Sequence, residues 1–214
     1  MIEKLHYITQ SLNGKSHSEM AEVACQSGIR WVQLRMKDVS FNHYLDEAKK
    51  TRNICRKYGA KLIINDQVEI AQNVNADGVH LGKMDMTPAE ARMFLGSKYI
   101  IGGTANTLED VLNLHQQGVD YVGLGPFRFT TTKKNLSPVL GLEGYRSIIR
   151  SLLKNDIEIP VIAIGGILTK DIKEILKTGI HGVAIASLIN RSENITNAIQ
   201  KIIKELEYGE IAHS

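Results

Sequence analysis

Five times along the chain a glycine is followed by two residues and then by an apolar run without alternation. They are Gly28 before WVQLR, Gly59 before LIIN, Gly96 before YIIG, Gly118 before YVGLG and Gly179 before GVAIAS. A glycine at that point suits a helix C-terminus, where the left-handed conformation carries no Cβ penalty. The run that follows suits a strand covered on both faces. LHYIT near the start, DGVHLG after residue 76 and VIAIGG after Pro160 bring the number of predicted strands to eight. The intervening segments carry helix signals. Ser16 with Glu19 and Thr107 with Asp110 read as capping boxes, Thr169 opens the segment before Ile172, and Phe41, Leu45, Ala48 and Cys55 fall on one helical face. Regular alternation of strand and helix implies a parallel sheet. Eight such units in 214 residues predict a single-domain (β/α)8 TIM barrel spanning residues 1–214, more compact than is usual for the fold. A doubly wound open sheet is the alternative, because local alternation does not prove closure.

A barrel gathers the C-terminal ends of its strands at one mouth, so residues far apart in sequence converge there. The second strand ends QLRMK, and residues i, i+2 and i+4 of a strand share a face, which directs Gln33, Arg35 and Lys37 toward the mouth. Three donors on one face favour an anion site. The third strand ends at Asn65 and Asp66, and Asp85 lies just beyond the fourth. Two carboxylates at adjacent strand ends suit an octahedral Mg²⁺ that also takes phosphate oxygens and water. Equally, Asp66 would be a helix cap and Asp85 a loop residue. The fifth strand presents Thr104 and Asn106. The sixth leads into GPFRFTTTKKN, a poor core and a good collar for an oxygen-rich ligand. Gly165-Gly166 after the seventh strand lets backbone N–H groups approach a phosphate, and the eighth strand ends at Ala186-Ser187. His80, inside its strand, reads as a satisfied barrel histidine rather than a catalytic base.

Composition changes this picture little. The 26 basic and 23 acidic residues give a net charge of +3, too mild to indicate nucleic acid as a partner. Cys25 and Cys55 have no metal-ligand spacing and read as buried free thiols. MIEKLHYITQ lacks the features of a signal peptide, and no run reaches the ~18 apolar residues of a membrane span, so a soluble cytoplasmic protein is expected. The segment after Ile203, KELEYGEIAHS, reads as a helix end fraying into solvent.

Taken in order, VQLRMK (32–37), LIIND (62–66), DGVHLGKMD (77–85), IIGGTANT (100–107), GLGPFRFTTTK (123–133), GLEG (141–144), AIGGI (163–167) and GVAIAS (182–187) resemble the thiamine phosphate synthase family across essentially the whole chain. The resemblance implies a (β/α)8 barrel that joins a hydroxymethylpyrimidine diphosphate to a thiazole phosphate and releases pyrophosphate. It implies that Gln33, Arg35, Lys37 and Asn65 hold the pyrimidine diphosphate and that Asp66 and Asp85 bind Mg²⁺. Thr104 stands where the family usually has serine. Thr130 and Thr132 would contact the thiazole phosphate, and Lys133 would reach the diphosphate. Gly165 or Gly166 with Ala186 and Ser187 would complete the phosphate site. Arg35, Thr104 and Lys133 are the implied catalytic contacts, and family habit suggests a homodimer.

Two departures stand out. TTTK replaces the usual TPTK, which puts Thr131 in place of a proline, and Asn106 stands where many relatives carry histidine. The second bears on a rival, a related thiazole tautomerase that uses that histidine. Other phosphate-binding barrels, such as those of tryptophan biosynthesis, do not require the paired aspartates. A catalytically silent ligand-binding regulator is the rival of a different class. The connection from Gly125-Pro126 to a helix expected near Gly141 is long for a compact barrel, and residues 127–137 are expected to act as a ligand-ordered lid.

Overall fold

The computed structural model describes residues 1–12, 14–129 and 138–211. The elements are β1 (Leu5–Ile8), α1 (His17–Gln26), β2 (Trp31–Leu34), α2 (Phe41–Tyr58), β3 (Lys61–Asn65), α3 (Val68–Asn73), β4 (Gly78–Leu81) and α4 (Pro88–Leu95). They continue with β5 (Ile100–Ala105), α5 (Leu108–Gln116), β6 (Tyr121–Leu124), α6 (Gly141–Lys154), β7 (Val161–Ile164), a 3₁₀ turn (Thr169–Asp171), α7 (Ile172–Leu176), β8 (Gly182–Ile185), α8 (Ser187–Asn190) and α9 (Ile195–Ile211). All strand pairs are parallel, and β1 pairs with β8, so the sheet closes in sequence order. The open-sheet alternative is thereby excluded.

Closure divides the strand residues between two environments. Val32, Leu34, Leu62, Ile64, Val79 and Ile101 point outward and meet the apolar faces of the helices in the larger core. Their neighbours point into the barrel, where Trp31, Ile63, Tyr121, Ile162 and Ala184 pack as a second cluster. Where both faces are apolar, as at Trp31-Val32 and Ile63-Ile64, the runs show no alternation. Toward the strand ends the inward positions turn polar: Gln33, Asn65 and His80 are all buried. That switch builds the mouth.

The expected glycines all adopt positive φ, from 64° at Gly59 to 108° at Gly28. Both predicted capping boxes are present, and Thr87 with Glu90 forms a further one at α4. Two local expectations are corrected. Phe41 is exposed at 43 %, and Tyr44, Ala48, Thr51 and Cys55 form the buried face of α2 instead. Tyr44 takes that place because its hydroxyl reaches the ends of two strands, 2.6 Å from the Leu34 carbonyl and 3.0 Å from that of Asn65. Thr169 opens the 3₁₀ turn that leads into α7 at Ile172, as expected. The Asp171 carboxylate accepts from Leu168 N–H at 2.9 Å and organises that turn. The segment after Ile203 does not fray there, since α9 runs to Ile211 and Leu206 is buried in the core.

Candidate active site

The mouth encloses an open cleft, lined near the strand ends by Gln33, Arg35, Asn65, His80 and Thr104. His6, Tyr121, Gly123, Ile162, Ile164 and Ala184 complete its walls and floor. This mixed polar and apolar lining suits a small-molecule site. Gln33 and Asn65 come from β2 and β3, and the Gln33 amide donates to Asn65 Oδ1 at 2.8 Å. The backbone N–H of Arg35 donates to Thr9 Oγ1 at 3.2 Å, which fixes the chain where it leaves β2. No carboxylate among the described residues pairs with the Arg35 guanidinium, so a half-buried cation faces the cleft. Such a group suits an anionic ligand.

Asp66 follows β3 in the left-handed region, with φ 66°. Its N–H donates to the His80 carbonyl at 2.9 Å, and its carboxylate pairs with Lys37. The cap of α3 is Gln67, without a side-chain bond, so Asp66 is not a helix cap. Asp85 accepts the Gly82 N–H at 2.7 Å. Its carboxyl is pushed up from the ordinary aspartate value by burial and by the adjoining Asp66 carboxylate, while Lys37 acts in the opposite direction. Two carboxylates held side by side against their own repulsion, beside a lysine, fit a hard divalent cation with an incomplete protein shell. Among the described residues no three His, Cys, Asp or Glu side chains group together, which does not match a closed zinc-type site.

The opposite side of the mouth is built from β7 and β8. Gly165 and Gly166 have φ of 91° and 69°. A Cβ on Gly165 would lie 2.8 Å from Pro126 Cβ, and one on Gly166 would lie 3.0 Å from Arg128. Positive φ and close approach of the segment after β6 both exclude a side chain here. The carbonyls of this pair are engaged: Gly165 accepts from Arg128 N–H at 3.1 Å and Gly166 from the Arg128 guanidinium at 2.7 Å. Among the described residues nothing accepts from their N–H groups, which suits an anionic oxygen. Ser187 opens α8 next to Ala186, and both are half-buried. Asn190 holds this turn by accepting from Tyr7 at 2.5 Å and donating to the carbonyls of Ile8 and Ala186, each at 3.0 Å.

Thus Gln33, Arg35, Asn65 and Thr104 line one cleft, Lys37, Asp66 and Asp85 form a charged rim, and Gly165, Gly166, Ala186 and Ser187 lie at the ends of the last two strands. Thr130, Thr132, Lys133 and most of the expected lid lie outside the described residues. His80 is satisfied at both ring nitrogens, as expected, 3.0 Å from Tyr121 Oη and 2.9 Å from Thr104 Oγ1. Asn106 donates to the Gly125 carbonyl, and its N–H donates to Asp110, which pairs with Lys83 at 2.6 Å. Sequence reasoning missed Tyr44, Asn190, Tyr121 and the clamp in which Arg128 grips Asp171 at 2.9 and 3.1 Å. The FRF motif contained the only hint of the last, an arginine just after a strand end.

A family model described as thiamine monophosphate synthase matches residues 5–189. A thiamine-phosphate synthase of Phocaeicola vulgatus is 48 % identical over 200 residues, covering 94 % of this chain and 96 % of that protein. The thiamine-phosphate synthase of Flavobacterium johnsoniae is 47 % identical over 206 residues, with coverages of 96 % and 97 %. A solved structure of thiamine phosphate pyrophosphorylase from Pyrococcus furiosus superposes with a TM-score of 0.85 at 33 % identity and covers 96 % of both chains. Agreement of sequence and fold over nearly the full length of both partners settles the family, and the chain belongs to the thiamine monophosphate synthase family.

Proposed function

We propose that this protein joins 4-amino-5-hydroxymethyl-2-methylpyrimidine diphosphate to a thiazole phosphate and releases pyrophosphate, with Mg²⁺ as cofactor. The observation that carries this reading is the rim where Lys37, Asp66 and Asp85 meet, beside a cleft lined by the Arg35 guanidinium. Asp66 and Asp85 would hold the cation, which supplies charge neutralisation to a departing diphosphate. Arg35 and Lys37 donate to diphosphate oxygens as negative charge develops there, an effect realised more in the transition state than in the ground state. Lys133 is assigned the same task from its position in the family motif. Gln33, Asn65 and Thr104 hold the pyrimidine ring in the cleft. The N–H groups of Gly165 and Gly166, with Ala186 and Ser187, bind the thiazole phosphate together with Thr130 and Thr132.

The electron-rich aminopyrimidine supports positive charge at its methylene, so the C–O bond to the diphosphate breaks before or as the thiazole nitrogen attacks. The nitrogen carries a lone pair already, and no base is required. The site matches this demand: its histidine is tied on both nitrogens, and Asn106 offers no titratable proton for an isomerase. Buried, unbridged Cys25 and Cys55 fit a reducing, cytoplasmic setting. No helix among the described residues is long and apolar enough to cross a membrane. Incubation of the purified protein with both substrates and Mg²⁺ is expected to yield thiamine phosphate and pyrophosphate in equal amounts. Failure to form either would overturn the reading.

A further inference from the structure

We infer that Tyr121 and His80 are positioning residues that orient the Thr104 hydroxyl as a hydrogen-bond donor toward a ring nitrogen of the bound pyrimidine. The inference rests on the proposed substrate, and its structural half stands without it. Tyr121 Oη lies 3.0 Å from His80 Nδ1, and His80 Nε2 lies 2.9 Å from Thr104 Oγ1. All three residues line the cleft. They come from three strands, and two glycines make their contact possible. Gly102 lies between His80 and Tyr121 in the strand register, and a Cβ there would overlap the tyrosine ring at 2.1 Å. Gly123, beside Thr104, leaves room for the His80 ring, whose Cε1 would be 3.0 Å from a Cβ at that position. The barrel interior is shaped around this chain of three groups.

Its direction follows from counting protons. Tyr121 is 1 % exposed, and among the described residues its hydroxyl has no hydrogen-bond partner other than His80. If His80 carried its proton on Nδ1, the tyrosine O–H would be a buried donor without an acceptor, a costly state. If Tyr121 donates to Nδ1, the neutral imidazole keeps its proton on Nε2 and donates it to Thr104. Burial raises the Tyr121 hydroxyl far above its ordinary pKa, so the donor persists across working pH. With one lone pair of Thr104 engaged by His80, its own hydrogen turns to the cleft. There it meets an acceptor, and a pyrimidine ring nitrogen supplies one in the plane of the ring. The Gln33 and Asn65 amides opposite present both donor and acceptor atoms, and so can accept from the exocyclic amine.

The test has a spectroscopic and a kinetic arm. Long-range ¹H–¹⁵N correlation on the histidine-labelled full-length protein is expected to show His80 protonated at Nε2, and protonation at Nδ1 would overturn the inference. Tyr121→Phe should relax that tautomer preference and raise KM for the pyrimidine diphosphate ~10-fold, the order of one lost hydrogen bond to substrate, without changing KM for the thiazole phosphate. His80→Gln, whose amide can still donate near the Nε2 position, should recover most of the activity that His80→Leu loses. Equal impairment of the two His80 variants, or a KM change shared by both substrates in Tyr121→Phe, would reduce the pair to a packing role. The tautomer is read without turnover. Lack of condensation by the wild-type protein would therefore sink the synthase reading separately.

Discussion

Removing the Arg128–Asp171 clamp tests how the loops after β6 and β7 hold each other. Arg128 follows β6 and Asp171 follows β7, and the guanidinium meets both carboxylate oxygens while also donating to the Gly166 carbonyl. The Arg128 side chain is 43 % exposed and that of Asp171 is 11 % exposed, so solvent screens one partner and not the other. A screened bidentate pair contributes about 0.5–1 kcal/mol. Asp171 has a second task, accepting the Leu168 N–H at 2.9 Å, a cap-like bond whose loss costs about 1 kcal/mol. Arg128→Ala should therefore lower Tm by about 1–4 °C, and Asp171→Ala by about 3–8 °C, using the usual conversion for a domain of ~200 residues. A double-mutant cycle isolates the shared part, which should be about 0.5–1 kcal/mol and shrink in high salt.

The same pair carries a pH signature. Burial alone would raise the Asp171 carboxyl, but the Arg128 guanidinium and the Leu168 N–H hold it below its ordinary value. A carboxyl depressed in the folded state contributes stability above its unfolded pKa and loses it as pH falls through the folded one. The stability gap between wild type and Asp171→Asn should thus be widest near neutrality and narrow below about pH 4. Because the clamp fixes the carbonyl side of Gly166, both variants should raise KM for the thiazole phosphate more than for the pyrimidine diphosphate. Denaturant melts across pH and steady-state kinetics with each substrate varied in turn measure these quantities. Zero coupling in the cycle at low salt, together with parallel pH profiles, would refute the reasoning.

Asp66→Asn and Asp85→Asn should each slow condensation on the order of 100-fold and weaken its Mg²⁺ dependence, checked by titrating Mg²⁺ in the assay; normal rates in both would remove the metal assignment. Condensation should be measurable while tautomerase turnover is negligible, because the Asn106 amide cannot relay a proton; parallel assays showing the reverse would exchange the two functions. Lys133→Ala should lower turnover more than Lys134→Ala, as only the former occupies the diphosphate position of the family motif. His6→Phe should leave the protein at least as stable at pH 7, since the buried His6 Nε2 has no partner among the described residues and the ring stacks on Trp31 at 4.1 Å between centroids. Burial, with His80 nearby, lowers the His6 pKa well below 6.5, so wild-type stability falls as pH drops below about 6.5, and the variant's advantage in urea melts should grow from pH 7 to pH 5.

The barrel was legible because its signals are local and repeated: a positive-φ glycine, a short connector, an apolar run buried on both faces. The inward-facing residues at the strand ends were legible for a related reason. Gln33, Asn65 and Thr104 are polar where a strand should be wholly apolar, and such a residue must face either the helix layer or the cleft. Only the cleft can accept it at low cost. What stayed hidden depends on distances between strands that sequence spacing does not encode. Nothing in DGVHLG says that the His80 ring will cross Gly102 to meet Tyr121, because that contact exists only once β4, β5 and β6 pair in register. The same holds for Asp171, whose grip on Arg128 spans 43 positions, and for Asn190, which reaches back 183 positions to Tyr7. Phe41 illustrates the converse failure. Helical periodicity selects a face by apolarity alone, yet α2 is rotated so that the Tyr44 hydroxyl reaches two strand-end carbonyls. Those carbonyls, Leu34 and Asn65, sit where the chain departs toward Arg35 and Asp66. A helix position chosen for its hydrogen bond thereby fixes the spacing of Arg35 and of the Asp66 carboxylate, and burial pattern and site geometry become one constraint.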